Sequence, residues 1–200
     1  MTKPLRILQI SDTHLFSDAN KELVGVNTQT TLHTIVEYIL REHEHFDLAI
    51  LTGDLSQDYQ ARSYEMIAET LAPLHIPVYC LPGNHDDLAM MQRVYPLHNV
   101  SYRPHVLLRD WQIIMLNTAQ TNRVEGFLAD SELVRLRESL QTYPDHYALI
   151  AMHHQPVPVG STWIDNVGLT NPKPLWDIIH NFPHVRLIAF GHVHQAFQEE

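Results

Sequence analysis

The chain has 200 residues, 44% hydrophobic and 18% charged, enough for one domain with a full core and ordinary for a soluble globular protein. Its 13 Lys plus Arg stand against 23 Asp plus Glu, a formal net charge of −10, and no Lys/Arg block occurs anywhere. A nucleic-acid polymer needs a basic stripe, so that partner class is disfavoured; an anionic substrate would meet its positive charge in bound cations.

A single cysteine, Cys80, excludes an intramolecular disulfide and reads as a small buried residue inside a strand. The first strand begins almost at once, which leaves no room for a signal peptide. No apolar run is long enough to span a bilayer, so no membrane partner and a cytoplasmic location are expected.

Residues 4–10 read as the first strand and 15–27 as a polar, glycine-containing loop. Asn27 is placed to cap a helix from Thr28 to about His43, with Leu32, Ile35, Val36, Ile39 and Leu40 as its apolar face. A strand at 47–52, a helix at 60–72 with Tyr64, Ile67, Ala68 and Leu71 inward, and a strand at 77–81 complete a β-α-β-α-β run. That order implies a parallel sheet. A short helix is expected at Leu88–Tyr95. Three short strands, Val100–Tyr102, Val106–Leu108 and Gln112–Asn117, read as an antiparallel meander. A helix at 131–141 follows, then a strand at 146–152 and a long loop at 155–172. Such a loop inside a compact domain is usually functional, and Trp163, Ile164 and Asp165 make it a candidate pocket wall. Asn171-Pro172 is a cap with proline at the first helical position, opening a helix to 182, and a last strand runs over 185–190.

Polar motifs stand where five apolar runs end. Asp12-Thr13-His14, Gly53-Asp54, Gly83-Asn84-His85-Asp86, His153-His154 and Gly191-His192-Val193-His194 each follow a predicted strand. If these strands share a sheet or a pair of sheets, the side chains converge, and a metal site is the simplest reason to gather them. Asp12, His14, Asp54, Asn84, His153, His192 and His194 are borderline to hard donors with no thiolate. They suit Fe, Mn, Zn or Co rather than Ca or Mg alone. Seven ligands exceed one tetrahedral site and fit two ions sharing a carboxylate, for which Asp54 is the candidate. Two divalent ions, two carboxylates and a bridging hydroxide leave a centre of about +1, suited to a phosphodiester. Ions about 3.5–4 Å apart activate water and clamp attacking and leaving oxygens, so the expected reaction is in-line hydrolysis at phosphorus. Taken singly, each motif has a plainer reading as a turn or a packed histidine. The other nine histidines, at 33, 43, 45, 75, 98, 105, 146, 180 and 184, lack any partner pattern and read as surface or half-buried imidazoles.

Together the five motifs resemble the calcineurin-like metallophosphoesterase family, in order, across residues 12–194. The intervening Asp12-Thr13-His14-Leu15-Phe16, Gly25-Val26-Asn27-Thr28, His154-Gln155-Pro156-Val157-Pro158 and Trp163-Ile164-Asp165 are similar to the bacterial class III cyclic-AMP phosphodiesterases. The resemblance implies an α/β fold, a four-layer αββα sandwich of two mixed sheets with helices outside. It implies one metal held by Asp12, His14, Asp54 and His194, and a second held by Asp54, Asn84, His153 and His192, with Fe or Mn first and Zn or Co as alternatives. It makes His85 a group that is not a ligand but faces the phosphate and can stabilise charge or protonate the leaving 3′-oxygen, and His154 a supporting or substrate-contacting residue. Asp86 orients His85 or the loop backbone, or is a simple turn residue.

The expected substrate is a small cyclic nucleotide, 3′,5′-cyclic AMP, cut to 5′-AMP. A broader phosphodiesterase acting on glycerophosphodiesters or 2′,3′-cyclic nucleotides shares the same metal motifs and stays open. So does a non-catalytic binding module, although such modules typically lose a ligand or the His of Gly-Asn-His. Residues 1–200 read as a single domain truncated at the C-terminus, with an incomplete second sheet that leaves strand 111–117 uncovered. A homo-oligomer joined through that sheet, or reduced stability, is the expectation.

Overall fold

The structure is a computed structural model that describes residues 4–42 and 45–200. It contains two four-stranded sheets with helices against them, the α/β architecture expected. The described chain divides into two compact units. Residues up to Cys80 and His85–Tyr102 form the first; Leu81–Asn84 and Arg103–Glu200 form the second.

The first sheet has the order β1 (Ile7–Ile10), β2 (Leu48–Thr52), β3 (Val78–Leu81), β4 (Val100–Tyr102). β1 pairs parallel with β2, Ile7 opposite Leu48, and β3 pairs parallel with β4. Every residue of β2 is buried, as a strand covered on both faces requires. Helices α1 (Thr28–Arg41), α2 (Ala61–Leu71) and α3 (Leu88–Val94) add Leu32, Val36, Tyr64, Ile67, Leu71 and Met91 to one core with Ile10, Leu51 and Val78. Asn27 caps α1 as expected, its Oδ1 accepting the Thr30 N–H at 2.8 Å. The buried face of α1 is narrower than the sequence suggested. Leu32, Val36 and Ile39 are buried, whereas Ile35 and Leu40 stay exposed. The expected helix end at His43, and the reading of His43 as a surface imidazole, lie outside the described residues. The other eight unassigned histidines are exposed or half-buried, and Cys80 is fully buried.

The second sheet has the order β5 (His105–Leu108), β6 (Trp111–Met115), β7 (Tyr147–Met152), β8 (Val185–Phe190). β5 and β6 are antiparallel, and β6–β7 and β7–β8 are parallel, so this sheet is mixed. Helices α4 (Asp130–Thr142) and α6 (Pro172–Ile179) pack Leu136, Leu140, Leu175 and Ile178 onto Ile114, Ala148 and Ile150. The four-residue helix α5 (Thr162–Asp165) lies between β7 and α6 in the chain.

Three expectations need correction. The meander of three strands does not exist: β4 runs parallel to β3 in the first sheet, and only β5 and β6 form an antiparallel pair. Short strands carry too little pattern to say which sheet they join. Strand 111–117 is not left uncovered either. β6 lies between β5 and β7, with Ile113, Ile114 and Met115 buried. The outer positions fall to β5 and β8, and Leu187 on β8 is 51% exposed. Finally, Asn171 stands at the N-cap of α6, but its side chain makes no cap bond. It pairs instead with the backbone of buried Leu128, accepting its N–H at 2.8 Å and donating to its carbonyl at 2.9 Å.

That double bond replaces a backbone pairing that Leu128 would otherwise lack. Asn171→Ala is therefore expected to cost about 1–3 kcal/mol, with an unchanged denaturant slope in urea unfolding. Asn27→Ala, which removes that exposed cap bond and the Asn27 Nδ2 bond to the Ala19 carbonyl, is expected to cost about 1 kcal/mol by the same measurement.

Candidate metal centre

In the first unit the strand exits remain zipped together after the strands themselves end. The Asp12 N–H donates to the Gly53 carbonyl at 3.0 Å, His14 to Asp54 at 2.9 Å and Leu15 to Leu55 at 2.9 Å. Asp12 and His14 are thereby held beside Asp54. All three adopt left-handed backbone conformations, with φ of 55°, 44° and 52°. His192 and His194 in the second unit do the same, at 69° and 49°. Eleven non-glycine residues among those described have positive φ, and five of them are predicted ligands. Such conformations cost energy and gather where a site requires a particular side-chain direction.

Asp54 is 2% exposed. Its Oδ1 accepts the backbone N–H of His85 at 2.8 Å, and its Oδ2 faces His14 Nε2 at 3.6 Å. On the other side of the His14 ring, Nδ1 lies 2.8 Å from Gln57 Oε1. A carboxamide oxygen only accepts, so Nδ1 carries the proton and Nε2 turns a lone pair toward Asp54. Burial holds the imidazole below its ordinary pKa, and the carboxylates of Asp54 and Asp12 offset this only partly. A neutral ring with one nitrogen anchored and the other presenting a lone pair is the arrangement of a metal-binding histidine. The His85 ring packs edge-on to His14, with centroids 5.2 Å apart.

Asp86 settles as an organiser of this loop. Its carboxylate accepts the N–H groups of Leu55 and Ser56, each at 3.1 Å, and the Tyr64 hydroxyl at 3.2 Å. Burial first, and then Asp86, push the Tyr64 phenol far above its ordinary pKa. It stays protonated, donates to Asp86, and accepts the Asp87 N–H at 2.9 Å. The backbone just after Asp54 is thus pinned to the loop that carries His85.

In the second unit, three donor atoms converge. His153 Nε2 lies 3.1 Å from Asn84 Oδ1 and 3.2 Å from His192 Nδ1. His153 is fully buried and His192 nearly so. The Gly191 N–H donates to the His153 carbonyl at 3.0 Å, which draws the ends of β7 and β8 together. Nε2 of His153 can hold at most one proton for these two neighbours, so the set is better matched by a cation than by hydrogen bonds. His194 lies exposed two residues beyond His192.

The sequence comparison decides what such a donor set belongs to. Residues 5–196 match the model of the calcineurin-like phosphoesterase family. The chain belongs to that family. Calcineurin-like phosphoesterases use a dinuclear metal centre, and the donors gathered here fit one: carboxylate, amide and imidazole without thiolate. The chain is 38% identical over 192 residues to the 3′,5′-cyclic adenosine monophosphate phosphodiesterase CpdA of Vibrio vulnificus, covering 96% of this chain and 70% of that relative. It is 35% identical over 194 residues to CpdA of Pseudomonas aeruginosa, covering 97% and 71%. A 3′,5′-cyclic-nucleotide phosphodiesterase of Nostoc is 36% identical over 197 residues, covering 98% and 74%. Among the described residues no helix is long and apolar enough to cross a membrane.

Within this phosphoesterase the role of His154 is sharper than its sequence position suggested. Its ligand atom lies within 4.8 Å of those of His153 and His192. Yet its Nε2 lies 2.9 Å from the Val124 carbonyl and its Nδ1 2.8 Å from Thr118 Oγ1. The carbonyl requires Nε2–H, so Nδ1 accepts from the Thr118 hydroxyl, and both nitrogens are engaged within the protein. His154 is fully buried, and a Cβ on Gly126 would come within 2.4 Å of its ring. Glycine is required there for the ring to fit. Sequence reasoning missed Gln57, Thr118 and Gly126. Gln57 lies 43 residues from His14 and Thr118 lies 36 from His154, and no local pattern links either pair.

If Gln57 fixes the His14 tautomer, Gln57→Ala is expected to weaken metal binding about 10- to 100-fold in calorimetric titration with Mn²⁺, with the thermal midpoint of the metal-free protein little changed.

Proposed function

We propose that this phosphoesterase hydrolyses 3′,5′-cyclic AMP to 5′-AMP with two metal ions. Asp12, His14, Asp54 and His194 would hold one, and Asp54, Asn84, His153 and His192 the other. Fe or Mn suits this donor set best, with Zn or Co as substitutes. The carrying observation is the convergence of Asn84 Oδ1 and His192 Nδ1 on His153 Nε2, at 3.1 and 3.2 Å. The lone pair that His14 turns toward Asp54 supports the same reading. The named activities of the relatives supply the substrate class. The low positive charge of the chain supports it too, since a metal centre offers the charge that its side chains do not.

When bound, the ions lower the pKa of water and neutralise charge on the phosphodiester. The remaining work falls to the chain. Asp54 fixes its own orientation through the His85 N–H. Hydrolysis breaks the bond from phosphorus to the 3′-oxygen and adds the elements of water, so the departing oxygen must gain a proton. His85 is the donor in this reading, with its backbone fastened to Asp54 and its ring packed against His14. Asn84 completes the second ligand set and orients the phosphate. His154 acts through position: its ring is locked by Thr118 and Val124 beside His153.

Asp54→Ala is expected to abolish hydrolysis and to release both ions, read by metal analysis after gel filtration, while the far-ultraviolet dichroism of the metal-free fold persists. Near-normal turnover with metal still bound would sink the dinuclear assignment. His85→Ala is expected to keep both ions and lose roughly 10²–10⁴ in rate on cyclic AMP. The loss should shrink on a nitrophenyl diester, whose leaving group needs no proton. A panel adding 2′,3′-cyclic AMP and glycerophosphoethanolamine tests the substrate: faster turnover of either than of 3′,5′-cyclic AMP would favour the broader phosphodiesterase.

A further inference from the structure

Trp163 is 74% exposed, more than any other tryptophan, tyrosine or phenylalanine among the exposed large hydrophobic residues described. An isolated exposed apolar residue needs no explanation by itself. Its mounting does. Trp163 sits on α5, and the next residue, Ile164, is buried in a small cluster with Val159 and Val193. Val193 stands between the candidate ligands His192 and His194. The Ile164 carbonyl accepts from Gln155 Nε2 at 2.9 Å, and Gln155 directly follows His153-His154. Gln155 is itself 2% exposed and packs so closely on Gly168 that a Cβ there would come within 2.7 Å of Nε2. Asp165 accepts the Val159 N–H at 2.7 Å, and Gln195 Nε2 reaches the Val159 carbonyl at 3.2 Å. Four residues of helix are therefore tied to both histidine-bearing loops of this unit, and the indole they carry is left facing solvent.

A rigid mount under an exposed aromatic ring is a preorganised stacking surface. The backbone beneath the ring is already ordered before binding, and a purine offers a flat π-face of matching size. We propose that Trp163 is the nucleobase platform of this enzyme, stacking on the adenine while the phosphate lies at the metal centre. The proposal rests on the cyclic-nucleotide reading above and adds the residue that selects for a base. Stacking of this kind is made in ground state and transition state alike, so it acts on KM rather than kcat.

The test compares wild type, Trp163→Ala and Trp163→Phe, each loaded with Mn²⁺, on 3′,5′-cyclic AMP and on the baseless ribose 3′,5′-cyclic phosphate. Trp163→Ala is expected to raise KM for cyclic AMP roughly 5- to 100-fold with kcat nearly unchanged, to leave the baseless substrate unaffected, and to be largely rescued by Phe. Independently, 5′-AMP should quench wild-type tryptophan fluorescence, and the quench should vanish in Trp163→Phe, where Trp111 and Trp176 remain. An unchanged KM in Trp163→Ala overturns the proposal, as does an equal loss on both substrates. A shift from oligomer to monomer in sedimentation, without a change in KM, would make Trp163 a contact between copies and overturn it too. Should wild type cleave other diesters but not cyclic AMP, the substrate reading fails on its own. The platform is then judged by the 5′-AMP quench, whose absence in wild type overturns it.

Discussion

A buried carboxylate next to a neutral imidazole constrains this molecule more than any other pair. Asp54 is 2% exposed, and its Oδ2 faces the His14 Nε2 lone pair at 3.6 Å. A cation placed against both atoms would stabilise the pair. The surrounding hydrogen bonds set the direction of each group. His85 fixes one oxygen of Asp54, Gln57 fixes the far nitrogen of His14, and Asp86 holds the chain that follows Asp54. Remove these supports and each ring or carboxylate would turn toward a partner of its own.

The apolar strands explain why such a costly arrangement persists. β2 is buried along its whole length, so its exit point is fixed by the core rather than by the site. The parallel pairing of β1 with β2 continues past the strand ends into the loops that carry Asp12, His14 and Asp54. In the second unit, β7 and β8 are parallel and joined at their ends through Gly191 and His153. The sheets act as rigid stems, and left-handed residues at three exits, Asp12 and His14 after β1, Asp54 after β2, and His192 and His194 after β8, turn side chains off the strand direction.

Most of this was legible because strand exits are a strong signal. Unbroken apolar runs followed by Asp, His and Asn identify both the strands and what they deliver, and the last strand falls on residues 185–190 as read. What escaped was whatever depends on distant partners or on very short elements. β4 falls where the sequence places it, at Val100–Tyr102, but three residues do not say which sheet they join, and α5 has four, too few for a period to emerge among the prolines and glycines around it. Ile35 and Leu40 fit the helical stripe of α1 yet stay exposed, because the core needs only the central part of that stripe. Asn171 has the residue type and place of a cap, but a closer demand from Leu128 claims its side chain. The candidate ligands could be named from the sequence; the groups that aim them could not, since Gln57 and Thr118 are ordinary residues made important only by folding.

The left-handed candidate ligands set selection for folding against selection for chemistry. At Asp12, His14, Asp54, His192 and His194 a glycine would relieve backbone strain, by up to roughly 1 kcal/mol at each position. A library screened only for thermal tolerance should therefore drift toward glycine at these five positions and lose the proposed metal ligands while gaining robustness. Stabilising this scaffold for use as a catalyst means holding those positions fixed and seeking improvement elsewhere.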